Sequence, residues 1–65
     1  MKFKQGDIIK SSSNDIGFIL EIKKIANDYN YKIYWLFVKY NYNVWKRGKI
    51  IYFSTFQVDE NYHKI

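Results

Sequence analysis

The stretch Lys39-Tyr40-Asn41-Tyr42-Asn43-Val44-Trp45-Lys46-Arg47-Gly48-Lys49 interleaves three aromatic rings with four cations. Single-stranded nucleic acid is held by this combination, because bases stack on aromatic faces at about 1–3 kcal/mol each while cations track the phosphates. The candidate contacts are Lys39, Tyr40, Tyr42, Trp45, Lys46, Arg47 and Lys49. A position in a connecting segment, where binding residues concentrate, favours this use. Two other uses stand beside it. The three rings can fold back over an undersized core while the lysines face water, or they can anchor a protein interface, which also favours Tyr, Trp and Arg. A second, smaller surface comprises Tyr29, Lys32 and Tyr34. There, stacking on a sheet face competes with simple amphipathic cover in which only the hydroxyl is wet.

No catalytic constellation is present. The single histidine, His63, is the third residue from the end with no nucleophile beside it in sequence, and Ser11-Ser12-Ser13 read as loop. Asp59 and Glu60 are adjacent, so on any turn they point to different sides and do not converge on one reacting atom. With no cysteine, one histidine and six scattered carboxylates, metal-ligand spacing is missing. Three glycines do not make a phosphate-cradling loop. The expectation is a non-enzyme with no cofactor and no metal.

Charge supports a polyanionic partner. From Lys23 to Lys49 there are seven basic residues against the single acid Asp28, a local charge of +6. The remainder holds four basic residues and five acids. A basic surface concentrates polyanions and speeds their encounter. The overall +5 also lies within the range that merely keeps a small domain dispersed. Lys, Ile, Asn, Tyr and Phe supply 38 of the 65 residues, all types served by A/T-rich codons, which points to a low-GC genome. No apolar run approaches the roughly 20 residues needed to span a bilayer. Met1-Lys2-Phe3-Lys4 leads into a turn rather than an apolar stretch, so no targeting segment is expected.

The elements that must position these residues are strands. Sixty-five residues make one domain, 1–65, and a chain this short needs large side chains in its core, which 14 aromatics can supply. Period-2 patterning predicts strands over Asp7–Lys10, Ile16–Ile25, Tyr31–Val38 and Lys49–Ser54, with His63–Ile65 as a short final edge. Ala26 to Asn30 reads as the hairpin connection, and Gly48 as a positive-φ residue before the fourth strand. Ser54-Thr55 reads as a hydroxyl cap on one 3₁₀ or helical turn over Phe56–Asn61. The expected core is Ile8, Phe18, Leu20, Ile22, Ile33, Trp35, Phe37, Ile51 and Phe53, closed by Val58 and Ile65. Five short strands cannot form two sheets, so the economical fold is one bent sheet closed into a barrel.

Three segments carry a family resemblance: Phe3-Lys4-Gln5-Gly6-Asp7-Ile8-Ile9-Lys10, Ile16-Gly17-Phe18-Ile19-Leu20-Glu21-Ile22 and Tyr31-Lys32-Ile33-Tyr34-Trp35-Leu36. Together they resemble the pattern of small SH3-like (KOW or Tudor-like) β-barrels that occur as short open reading frames in tailed phages. The resemblance implies an all-β, five-stranded SH3-like barrel with a short 3₁₀ or helical turn before the last strand. It also implies a phage origin, and host cytoplasm or virion as the location. Such barrels bind nucleic acid, peptides or other virion proteins. The middle of this chain is basic where peptide-binding SH3 domains are acidic, which argues against proline-rich ligands. The expectation is a small binding module that contacts nucleic acid through the Lys39–Lys49 segment together with Lys32 and Tyr34. The alternative is a protein–protein module, either a virion component or an inhibitor of a host protein.

Overall fold

The computed structural model describes residues 1–38 and 46–65. Five strands, β1 (Ile8–Ser11), β2 (Ile16–Ile25), β3 (Asp28–Phe37), β4 (Ile50–Ser54) and β5 (Tyr62–Lys64), form one antiparallel sheet in the order β4-β3-β2-β1-β5. One helix, α1 (Thr55–Asn61), joins the two edge strands. Among the described residues no ladder joins β4 to β5, so the sheet is not closed. It is nevertheless strongly curled. The Trp35 ring on β3 lies 5.7 Å from that of Tyr62 on β5 and 5.3 Å from that of Phe53 on β4. A flat sheet would hold β3 and β5 three strand spacings, about 14 Å, apart.

The core fills the inside of that curl: Phe3, Ile9, Ile19, Tyr31, Ile33, Trp35, Val58 and Tyr62, with Ile22, Ile51 and Phe53 partly buried against it. Of the expected core, Ile22, Ile33, Trp35, Ile51, Phe53 and the helical Val58 lie in this cluster or against it, whereas Ile8, Phe18, Leu20, Phe37 and Ile65 lie outside. The differences have physical causes. In β1 the neighbours Ile8 and Ile9 are chemically identical, so alternation cannot choose between them. The ladder does, setting Ile9 opposite Gly17 and Ile8 opposite Phe18. In β2 the inward positions are therefore Gly17 and Ile19, until a bulge at Leu20 changes the parity and returns Ile22 to the inner face. In β3 a second irregularity at Leu36 carries Phe37 outward opposite Ile16, and Val38 is buried instead. Ile65 follows β5 and is 65% exposed.

Local geometry follows the turn residues with one exception. Gly6 (φ 92°) and Gly48 (φ 76°) take the left-handed conformations their positions require. Asp7 accepts the Lys4 backbone N–H at 3.0 Å and so closes the turn into β1. The β2–β3 hairpin is tighter than expected: its loop is only Ala26-Asn27, and Ala26 rather than an Asn or Asp carries the positive φ (56°). Ser54 sits at the N-cap of α1, yet its hydroxyl makes no capping bond. The helix is held by buried Val58 and by Asp59 Oδ1, which accepts the Tyr31 hydroxyl at 2.6 Å. That same hydroxyl accepts the Phe3 N–H at 3.0 Å, tying the N-terminal segment to the helix through the core.

Gly17 is the position where a side chain cannot be added. A Cβ there would stand 2.6 Å from Ile33 Cγ2 and 3.2 Å from the Trp35 ring. Gly17→Ala is expected to destabilise by about 1–3 kcal/mol, as overpacked cores do. At about 4–8 °C per kcal/mol this is a clear drop in the circular dichroism melt. An unchanged melt would contradict the close approach of Trp35.

Candidate nucleic-acid interface

The expected site residues fall into three groups. Lys39, Tyr40, Tyr42 and Trp45 lie outside the described residues. Arg47 and Lys49 are exposed in the turn before β4, where Gly48 donates its N–H to Trp35 O at 2.7 Å and Lys49 O accepts the Trp35 N–H at 3.0 Å. Lys32 and Tyr34 are on the outer face of β3. Tyr29 is separated from them: it shares the parity of Tyr31, on the opposite face, and sits under the Lys24 ammonium at 5.8 Å from the ring centroid.

Lys46 departs from the expectation. Its ammonium lies 2.8 Å from Asp15 Oδ2, with the two side chains only 6% and 4% exposed. It also lies 4.1 Å from the centroid of the Trp35 ring and 5.5 Å from that of Phe53. A desolvated cation over an indole gains roughly 2 kcal/mol or more, and removing either member of a buried ion pair strands the other. Lys46 is thus a core residue and not part of the solvent-facing basic set. The loop that presents Asp15 is built for it. Ser11 Oγ accepts the backbone N–H groups of Ser13 and Asp15 at 3.2 and 3.1 Å, while Asn14 adopts φ 66°. Charge counting alone could not separate Lys46 from Arg47 and Lys49. The one sequence signal was an acid, Asp15, placed between a turn and an apolar strand.

Burial of acids sharpens the surface charge. Asp7 and Asp15 are buried, and Asp59 is half-buried against Tyr31, whereas Lys46 is the one buried cation among the described residues. The outer sheet face was missed as a unit. Its cross-strand rows read Ile8–Phe18–Tyr34–Ile50, then Glu21–Lys32–Tyr52, then Lys23–Asn30–Ser54, with Lys10–Ile16–Phe37 on the other side. Phe18 and Tyr34 are direct partners, and Tyr52 is diagonal to Tyr34, so three rings run across β2, β3 and β4. Lys32 and Tyr34 of this face were expected from the sequence, whereas Phe18, expected in the core, and Tyr52 were not placed with them.

No family model, curated protein or solved structure matches this chain. Among the described residues no three of His, Cys, Asp and Glu approach closely enough to hold a metal ion, and no helix is long and apolar enough to cross a membrane.

Two tyrosines report the core directly. Burial first, and then the hydrogen bond to Asp59, pushes the Tyr31 hydroxyl up to about 12. Burial first, and then the charge of Asp15, does the same for Tyr62. Both raised values favour the neutral form in the fold, so their stabilisation is complete below the ordinary 10.0 and is lost as pH rises through about 12. Absorbance titration at alkaline pH is expected to show two late ionisations coincident with loss of structure. Tyr62→Phe should remove one of them. At the other extreme, the Lys4 N–H and then the Lys64 ammonium hold the Asp7 carboxyl below its ordinary 3.8. Asp7 therefore stabilises above that value and ceases to as pH falls below it, and Asp7→Asn should flatten the acid limb of the melt.

Proposed function

We propose that this chain is a small non-catalytic module that binds nucleic acid through its basic surface. The observation that carries the reading is the asymmetry of burial: half of the six acids are drawn into internal bonds, while Lys10, Lys23, Lys32, Arg47 and Lys49 keep solvent access. Lys39, Tyr40, Tyr42 and Trp45 enter on sequence alone, as the aromatic–basic segment leading into the Arg47–Lys49 turn. Phosphate contacts of this kind give affinity with little sequence preference. The SH3-like assignment belongs to the same reading. Its support is the strand order β4-β3-β2-β1-β5 with a short helix before the last strand, and the curl of the sheet about Trp35. With that assignment come the phage origin and a place in the host cytoplasm or virion.

A protein-binding role, as virion component or host inhibitor, is the second reading. It is favoured by the apolar outer row, in which Ile8 and Ile50 are 40% and 52% exposed. Exposed apolar patches on small proteins commonly mark interfaces.

Salt separates the two. Fluorescence anisotropy of labelled single- and double-stranded oligonucleotides is expected to give a log–log salt slope of about −2 to −3, as three or four single-strand phosphate contacts require. Arg47→Ala and Lys49→Ala should each reduce that slope by about 0.7. No binding at low salt would overturn the nucleic-acid reading and leave the protein-binding one.

A further inference from the structure

We infer that the outer face of the sheet is a stacking platform for unpaired bases, and that the ligand is single-stranded rather than duplex nucleic acid. This rests on the nucleic-acid reading and narrows it to one surface and one strand type. Phe18, Tyr34 and Tyr52 come from three adjacent strands, and the ladder fixes their order across the sheet. Directly opposed side chains on one face stand about 4.5–5.5 Å apart at Cβ, and diagonal ones about 7–8 Å, so the three rings share one band across the face. Tyr34 and Tyr52 are exposed and Phe18 is half-buried beside them.

Cations bracket the track along the strand direction. Lys10 lies in the row beyond Phe18, Lys32 shares the row of Tyr52, and Lys23 lies in the row beyond that one. The Lys23 ammonium stands 6.0 Å from the Tyr52 ring centroid, so charge and ring share one surface. Glu21 is the single acid in these rows. A backbone crossing the face therefore meets positive charge on either side of the aromatic band. This charge complementarity selects a polyanion with exposed π faces over a second copy of this basic chain.

Geometry selects the strand type. Bases in a duplex are reached by a projecting helix or ribbon that enters a groove. Here the rings lie on the face of β2, β3 and the edge strand β4 rather than on a projecting element, so splayed bases can stack on them. Ile8, Ile16 and Ile50 surround the track with apolar surface for sugars and base edges.

The test is anisotropy with fluorescein-labelled (dT)15 and with a hairpin duplex of matched length, on the wild-type chain and on Tyr34→Ala, Tyr52→Ala and Tyr34→Phe. The expected result is tighter binding of (dT)15, weakened about tenfold by each alanine, the loss of one stack, and retained by phenylalanine. Melting curves verify that each variant is folded. Amide shift mapping of the wild-type chain with (dT)6 gives a second readout independent of any variant, with the largest changes expected around Phe18, Tyr34 and Tyr52. If (dT)15 binds but the alanines and the shifts at these positions do not respond, the platform is overturned while the nucleic-acid reading stands. If the duplex binds as tightly, the strand assignment is overturned. If neither oligonucleotide binds, both readings fail. Self-association of the wild-type chain in sedimentation, abolished by Tyr34→Ala, would instead make the face a protein interface.

Discussion

A lysine ammonium held between a carboxylate and an indole organises this small domain. Trp35 stands at the centre of the curl, with Phe53 of one edge strand and Tyr62 of the other packed on it. Lys46 lies over its ring and is paired with Asp15. The cage draws together the Ser11–Asp15 loop, the strand β3 and the turn into β4, segments far apart in sequence. A 65-residue chain buries a modest share of its surface, so one dense cluster must set the curvature of the whole sheet. Aromatic pairs of this kind add about 0.5–1.5 kcal/mol each beyond the area they bury. The absent side chain at Gly17 is what lets Trp35 sit there.

The same arrangement shapes the surface. With all the large inward residues committed to the inside of the curl, the apolar outer positions of β1, β2, β3 and β4 face solvent instead of a second layer. Drawing Asp7, Asp15 and Asp59 inward leaves the exterior more basic than the net charge suggests. Structure and proposed function thus have one origin: the core takes up acids and one lysine, and the sheet presents rings and the remaining lysines.

The architecture was legible where residue chemistry was one-sided. Gly48 announced a positive φ, and Ile33 and Trp35, expected in the core, lie on the inner face of β3. It was illegible where both faces are apolar. Swapping Ile8 for Ile9, or Phe18 and Leu20 for Ile19, leaves the pattern unchanged, and a bulge at Leu20 or Leu36 reverses parity without any glycine or proline to mark it. For the site, charge patterning located the basic half of the chain but could not identify the lysine that is internal. That distinction depends on a loop twenty or more residues away in sequence placing Asp15 against it.

The measurement that bears most directly on this account is a double-mutant cycle on the cage: Asp15→Asn, Lys46→Met and the two combined, followed by chemical denaturation. Each single change is expected to cost about 3–5 kcal/mol because it strands a buried partner. The double variant should recover a substantial part of that loss, a coupling of about 2 kcal/mol or more, seen as regained structure where a single variant is unfolded. Losses that simply add, within about 0.5 kcal/mol, would show that the two side chains act independently and would contradict the cage as the organising contact.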